Sequence, residues 1–342
     1  MNKIRVALIG CGRAGLIHAR NYLGQVPGGE LAALCDPVEN SLLAAQRELG
    51  INKGYTDYRE LMADESIDAV IVATPTRFHH EMVIAAAKAH KHVFCEKPMA
   101  ESTRECDEMI AACAENGVKL QLGFMRRFDR SFRRAKAQLE SGAVGAVTMI
   151  RSNTYGPSEP KPWMFDVRTS YGPIGEVNSH DFDTLRWYAG SEAESVYAIG
   201  HNFRSQEVAE KYPEYYDTCQ TLITFQNGVI GAIGGAQYVR YGYDARTEIL
   251  GTEGIIKVGS QHAVQVETVT ADRVCSTDSV PSWQTLFLDA YAAEDSAFIQ
   301  CILDDTEPEV TGEDGKRALM LVYAGLKSIL EKRPVALSEM EI

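Results

Sequence analysis

One short segment limits this chain more than any other. Gly10-Cys11-Gly12-Arg13-Ala14-Gly15 stands directly behind the apolar run of residues 6–9 and opens a helical pattern over residues 14–23. A G-x-G-x-x-G spacing is a weak signal alone; between a strand and a helix it has a physical job. Gly10 permits the tight turn, Gly12 lets a pyrophosphate approach the backbone, and Gly15 lets helix and strand pack closely. Arg13 and Ala14 begin the helix, where free N–H groups and the helix dipole favour a phosphate. Asp36 ends the second apolar run about 20 residues beyond Gly15, the place of the acid that binds a ribose 2′-OH. Pro37, Val38 and Glu39 follow it, with no Arg or Lys to receive a 2′-phosphate, so the expected cofactor is NAD rather than NADP.

The rest of the first third continues the same rhythm. Strands are expected over 3–9, 30–35, 69–73, 92–95 and 119–122, and helices over 14–23, 41–49, 81–88 and 103–115. Alternation of this kind means βαβ units and a parallel sheet covered on both faces. After Gly123 the pattern changes. A helix over 131–139 precedes a strand-rich stretch at 146–152, 195–201, 218–225, 229–236, 247–250 and 255–258, interrupted by one helix over 176–188. Two more helices, over 290–303 and 315–330, close the chain. The expected class is α/β: an N-terminal Rossmann domain, residues 1–123, and a C-terminal α+β domain, residues 124–342, with an open-faced, mostly antiparallel sheet. The tail helices are free to pack back on the first domain. Two domains also suit a length of 342 residues.

Charge and cysteines exclude several classes. A net charge of −13 without a basic run argues against nucleic acid or an anionic membrane as partner. Eight cysteines without a C-x-x-C pair read as reduced, mostly buried thiols, with neither disulfides nor a metal site. No signal peptide and no apolar stretch of membrane-spanning length is seen, so a soluble, cytoplasmic protein is expected.

Thr74-Pro75 and His79 follow the third strand, and Glu96-Lys97-Pro98 follows the fourth. Loops at the carboxyl ends of parallel strands face the ligand crevice, so Thr74, Pro75, His79 and Glu96 join the expected cofactor contacts. His80 reads as a surface residue. A desolvated lysine gives up its proton more readily than an exposed one and can serve a proton relay, which makes Lys97 a candidate for chemistry.

The glycine fingerprint, the Thr74-Pro75 loop and Glu96-Lys97-Pro98 together resemble the Gfo/Idh/MocA oxidoreductases. Gly123-Phe124-Met125-Arg126-Arg127-Phe128-Asp129 resembles the start of the second domain in inositol-dehydrogenase-like members. Residues 172–183 resemble the family's glycine cluster, acid, and histidine four residues on, here Glu176 and His180. The resemblance implies hydride transfer from a secondary ring hydroxyl of a cyclic polyol or sugar to NAD. His180 would take the hydroxyl proton, Lys97 would hydrogen-bond that oxygen, and Glu176 would orient or polarise one of the two. Histidine suits a base working near neutral pH. Glu176 and His180 stand at i and i+4 on the expected helix and so share a face. Inositol dehydrogenases usually carry Asp in place of Glu176, and Gly172-Pro173-Ile174-Gly175 replaces a run of glycines.

Arg127, Trp163, Asp166 and Asn178 are the candidate substrate contacts, an aromatic platform among hydrogen-bonding side chains of the kind that sorts hydroxyl patterns. The alternative substrates are a glycoside or anhydrosugar oxidised at the 3-position. An NAD-assisted glycoside hydrolase on the same scaffold is the alternative reaction, and a non-catalytic NAD sensor ranks last. The open sheet face is expected to make a homo-oligomer, a dimer or tetramer.

Overall fold

Residues 4–9 are apolar at all but one position, which suits a strand covered on both faces. The computed structural model, which describes residues 3–264 and 266–340, bears this out. The chain divides into two units. One runs to Asp129 and takes in Leu288–Leu319; the other holds Arg130–Phe287 and the chain from Met320.

The first unit is built on six strands: β1 (Ile4–Ile9), β2 (Gly29–Cys35), β3 (Gly54–Tyr55), β4 (Ala69–Val72), β5 (His92–Glu96) and β6 (Leu120–Gly123). Every neighbouring pair is parallel. Their order, β3-β2-β1-β4-β5-β6, is that of a doubly wound dinucleotide-binding sheet. Helices follow the strands at Arg13–Asn21, Glu39–Leu49, Tyr58–Met62, His79–Lys88 and Thr103–Glu115. Val6, Leu8, Leu34, Ile71 and Phe94 form a core with Phe298 and Ile299 of the helix Leu288–Leu303. The two-residue β3 and the helix Tyr58–Met62 are too short to show a period in the sequence.

The second unit carries a seven-stranded sheet: β7 (Val147–Tyr155), β8 (Ala193–His201), β9 (Thr218–Phe225), β10 (Ile230–Ala236), β11 (Asp244–Gly251) and β12 (Ile255–Val258), with the short β15 (Val335–Ala336) at one edge after the separate hairpin β13 (Thr268–Val269) and β14 (Cys275–Ser276). The sheet is mostly antiparallel, as expected, but β7 and β10 pair parallel at its centre. Strand β9 alternates strictly. Cys219, Thr221, Ile223 and Phe225 of β9 are buried, while Gln220, Leu222 and Thr224 face outward. Among the described residues no helix is long and apolar enough to cross a membrane.

One expected helix is not a single helix. Residues 176–188 divide between Gly172–Glu176 and Ser179–Ala189, with Val177 and Asn178 between them. Asn178 is the cause. Its fully buried amide donates to Asp181 Oδ2 at 2.8 Å and to the Gly234 carbonyl at 3.3 Å, and Cys219 Sγ donates to its Oδ1 at 3.5 Å. The asparagine is drawn onto the sheet and the helical path breaks there. Asp181 also accepts from Ser152 Oγ of β7 at 2.6 Å. Gly235 makes room, since a Cβ at that position would stand 1.9 Å from Asn178 Oδ1 and 2.7 Å from Cys219 Sγ. Gly235→Ala is therefore expected to destabilise this unit by about 2–4 kcal/mol, through overpacking and a displaced buried amide. Calorimetric unfolding measures it, and an unchanged transition would show that the asparagine is free to move.

Candidate active site

In the first unit the glycine loop closes on two sides. Gly10 has φ +99°, and a Cβ there would stand 2.6 Å from the Ala73 carbonyl oxygen at the end of β4. A Cβ on Gly15 would meet the Gly10 oxygen at 2.1 Å. Neither position admits a side chain. On the other side the Gly10 N–H donates to the Cys35 carbonyl at 2.8 Å, and the Cys11 N–H donates to Asp36 Oδ2 at 2.9 Å. The acid thus lies at the loop it was expected to serve. Its Oδ1 accepts from the Val38 N–H at 2.9 Å, and each oxygen keeps a lone pair for a further donor.

The loop is open where a ligand would need it open. Gly12 and Arg13 are exposed, and a Cβ on Gly12 would meet nothing within 4 Å. The helix Arg13–Asn21 has no side-chain N-cap and no acid in its first turn, so its leading N–H groups and dipole remain available to a pyrophosphate. These residues fit NAD: a cradle for the diphosphate and a carboxylate for a ribose hydroxyl.

The remaining candidates of this unit are drawn together by buried histidines. Thr74 is half-buried and Pro75 exposed. His79 is buried, with Nε2 2.8 Å from the Thr74 carbonyl and Nδ1 2.9 Å from the Pro98 carbonyl. Burial holds its pKa below the ordinary imidazole value. A neutral ring has one N–H to give, to either carbonyl, and the ring stands between the Thr74 loop and the Glu96-Lys97-Pro98 loop. His80 pairs with Glu108 at 2.8 Å on the surface. Glu96 is buried, and its Oε2 accepts the backbone N–H of half-buried Lys97 at 2.9 Å. Its Oε1 lies 3.0 Å from Nε2 of His18, whose Nδ1 lies 2.7 Å from Asp295 Oδ1. Arg127 is also buried, and its Nη2 donates to Asp314 Oδ1 at 3.0 Å.

In the second unit His180 occupies the first turn of Ser179–Ala189 and is buried at 7% exposure. Glu176 ends the preceding helix and is half-buried. The break at Val177-Asn178 removes the shared helical face expected of these two, so their relation does not follow from i, i+4 spacing. Asn178 is fully buried and committed to Asp181 and the sheet, as described above. Trp163 is 53% exposed in the turn Pro162–Phe165. Asp166 is exposed and caps Val167–Ser170 by accepting from the Arg168 N–H at 3.0 Å. Residues 212–216 hold three tyrosines, of which Tyr215 and Tyr216 are buried. The Phe165 and Tyr215 rings meet edge to face at 5.0 Å, and Tyr216 donates to the Tyr171 carbonyl at 2.7 Å.

The sequence pattern alone does not single out His18, Asn21 and Asp295. The signal was present but slight: a histidine on the apolar side of the glycine-led helix, and an acid within the apolar helix Leu288–Leu303.

Comparison with known proteins agrees with this geometry. Residues 4–124 match the family model of an oxidoreductase family with an NAD-binding Rossmann fold, and residues 132–257 match the GFO/IDH/MocA C-terminal domain. The chain is 36% identical to a myo-inositol 2-dehydrogenase of Thermotoga maritima, over 98% of this chain and 99% of that protein. It is 34% identical to a scyllo-inositol 2-dehydrogenase (NAD(+)) of Bacillus subtilis, over 98% and 97%. Among solved structures it is similar to a scyllo-inositol dehydrogenase from Lactobacillus casei with bound NAD(H) and scyllo-inositol, at a TM-score of 0.90 and 27% identity, over 98% of this chain and 100% of that one. The chain belongs to the Gfo/Idh/MocA family and is an NAD-dependent oxidoreductase acting on CH–OH groups.

Proposed function

We propose that this enzyme oxidises a secondary ring hydroxyl of a cyclic polyol of the inositol type. The observation that carries the reading is the placement of Lys97: it directly follows β5, on a loop across the His79 ring from the Thr74 segment that borders Gly10. Full-length similarity to proteins named inositol dehydrogenases supports the substrate class. Bound NAD would supply the hydride acceptor.

The roles follow from chemistry. Oxidation of an alcohol releases a proton from oxygen as hydride leaves carbon. His180 is the base for that proton, since an imidazole accepts one near neutral pH. Lys97 donates a hydrogen bond to the same oxygen as negative charge develops on it. Glu176 orients or polarises one of the two. Trp163 offers an exposed aromatic face for a ring, with Asp166 as a polar contact beside it. Arg127 and Asn178 complete the proposed substrate contacts, each held in place by a partner in its own unit, Asp314 and Asp181.

The open sheet face supports a homo-oligomer. Register places Ile230, Met149, Leu250 and Ile255 in one row across β10, β7, β11 and β12, with Tyr197 and Leu222 in the next row. Ile230 and Leu222 are each 50% exposed, and Arg151, Glu248 and Lys257 continue the Leu222 row, a mixed apolar and charged face of the kind that subunits cover. Eight free cysteines suit a reducing compartment, and we place the enzyme in the cytoplasm.

A panel of inositols, hexoses and glycosides with NAD tests the substrate. Inositols are expected to yield NADH. Oxidised glycosides instead would assign a glycoside dehydrogenase, and aglycone release without NADH would assign the hydrolase. His180→Ala and Lys97→Ala should each lower kcat by about 10²–10⁴-fold with NAD binding retained, and full activity in either removes that residue from the mechanism. Leu222→Glu should shift the assembly toward monomer in sedimentation, whereas an unchanged mass would place the contact on another surface.

A further inference from the structure

The roles just assigned leave His18 idle, although it is a fully buried titratable side chain on the helix that the glycine loop opens. It lies three residues past Gly15. Its ring stands 4.8 Å from that of Phe94 and meets Tyr291 edge-on at 5.3 Å. Each ring nitrogen faces a carboxylate: Nδ1 is 2.7 Å from Asp295 Oδ1 and Nε2 is 3.0 Å from Glu96 Oε1. Asp295 is itself fully buried and accepts a further bond from Asn21 Nδ2 at 2.8 Å. Glu96 grips the Lys97 N–H with its other oxygen at 2.9 Å. It lies over its register partner Gly123, where a Cβ would stand 3.0 Å from Oε2.

Chemistry limits how these groups share protons. Each nitrogen–oxygen contact needs one hydrogen, because two facing lone pairs repel. The three groups must therefore hold both protons, either as an imidazolium between two carboxylates or as a neutral ring with one protonated acid. Burial alone would strip the charge from the ring. Asp295 and Glu96 outweigh it and hold the His18 pKa well above its ordinary value. Nε2–H then donates steadily to Glu96. Packing alone would not select this pattern, since an apolar ring would fill the space against Phe94 and Tyr291 without two buried carboxylates.

We propose that His18 is a positioning residue: by donating to Glu96 it fixes the carboxylate that holds the Lys97 backbone, and so sets Lys97 relative to the glycine loop carried by its own helix. The inference rests on Lys97 acting in the reaction proposed above. Asp295 has a conservative replacement. In Asp295→Asn the new amide donates to Nδ1 of a neutral ring and accepts from Asn21, leaving Nε2–H free to hold Glu96. His18→Leu fills the space and removes both bonds.

Two readouts separate positioning from simple packing. In His18→Leu the Lys97 amide should exchange with solvent at least about tenfold faster by NMR, since its carboxylate partner is no longer held. Its kcat should fall about tenfold to hundredfold, while the dissociation constant for NAD stays within about threefold. Asp295→Asn should stay within about threefold of the parent in both exchange and kcat. Unchanged Lys97 exchange in His18→Leu overturns the proposal, as does an Asp295→Asn variant as impaired as His18→Leu. If the leucine variant does not fold, His18→Asn, too short to bridge the two acids, is read in the same way. Amide exchange needs no substrate: a parent enzyme inactive on every polyol would sink the proposed reaction, and the exchange would still decide the clamp.

Discussion

The whole first unit turns on one close approach. β1 ends against β4, and the backbone at Gly10 passes so near Ala73 that a Cβ would sit 2.6 Å from its carbonyl oxygen. Two loops leave the sheet on either side of this point, where a doubly wound sheet opens its crevice. Gly15 then brings the helix down on Gly10, and Asp36 ties the end of β2 to the Cys11 N–H at 2.9 Å. Three chain segments are drawn around a helix N-terminus that no side chain caps. A diphosphate is the ligand that suits such a place, because backbone donors and a helix dipole bind it without net positive charge. A chain of net charge −13 can therefore hold an anionic cofactor.

Buried polar groups carry the same logic outward. His79 spans the Thr74 and Pro98 carbonyls, and His18 spans Asp295 and Glu96. In the second unit Asn178 and Asp181 do comparable work against Ser152 and Gly234. Leaving any of these groups unpaired in the interior would cost about 1–3 kcal/mol, so each network specifies one arrangement of the loops it joins. The loop that carries Lys97 and the helix that carries His180 are thereby each anchored by buried side chains of their own unit.

Much of this was legible in the chain because it is local. Thr103–Glu115 and Thr218–Phe225 have the predicted bounds, since a helical or an alternating period runs through each without interruption. The glycine loop and Asp36 were legible because strand, turn and helix follow one another directly. What was hidden depends on distant partners. The parallel pairing of β7 with β10 joins strands with two others between them in the chain. The break at Val177-Asn178 is caused by Gly234 and Cys219, which no helical period can report. His18 and Asp295 stand 277 residues apart, and each is a lone polar residue on an otherwise buried helix face.

The central claim is that the Gly10 loop and Asp36 together form an NAD site in which the acid selects the cofactor. Calorimetric titration of NAD and of NADP into the unaltered protein and into Asp36→Ala tests it most directly. The account predicts that the unaltered protein binds NAD at least about tenfold more tightly than NADP, and that Asp36→Ala loses most of that preference. Equal affinity for the two in the unaltered protein, or a preference that survives loss of the carboxylate, would contradict it.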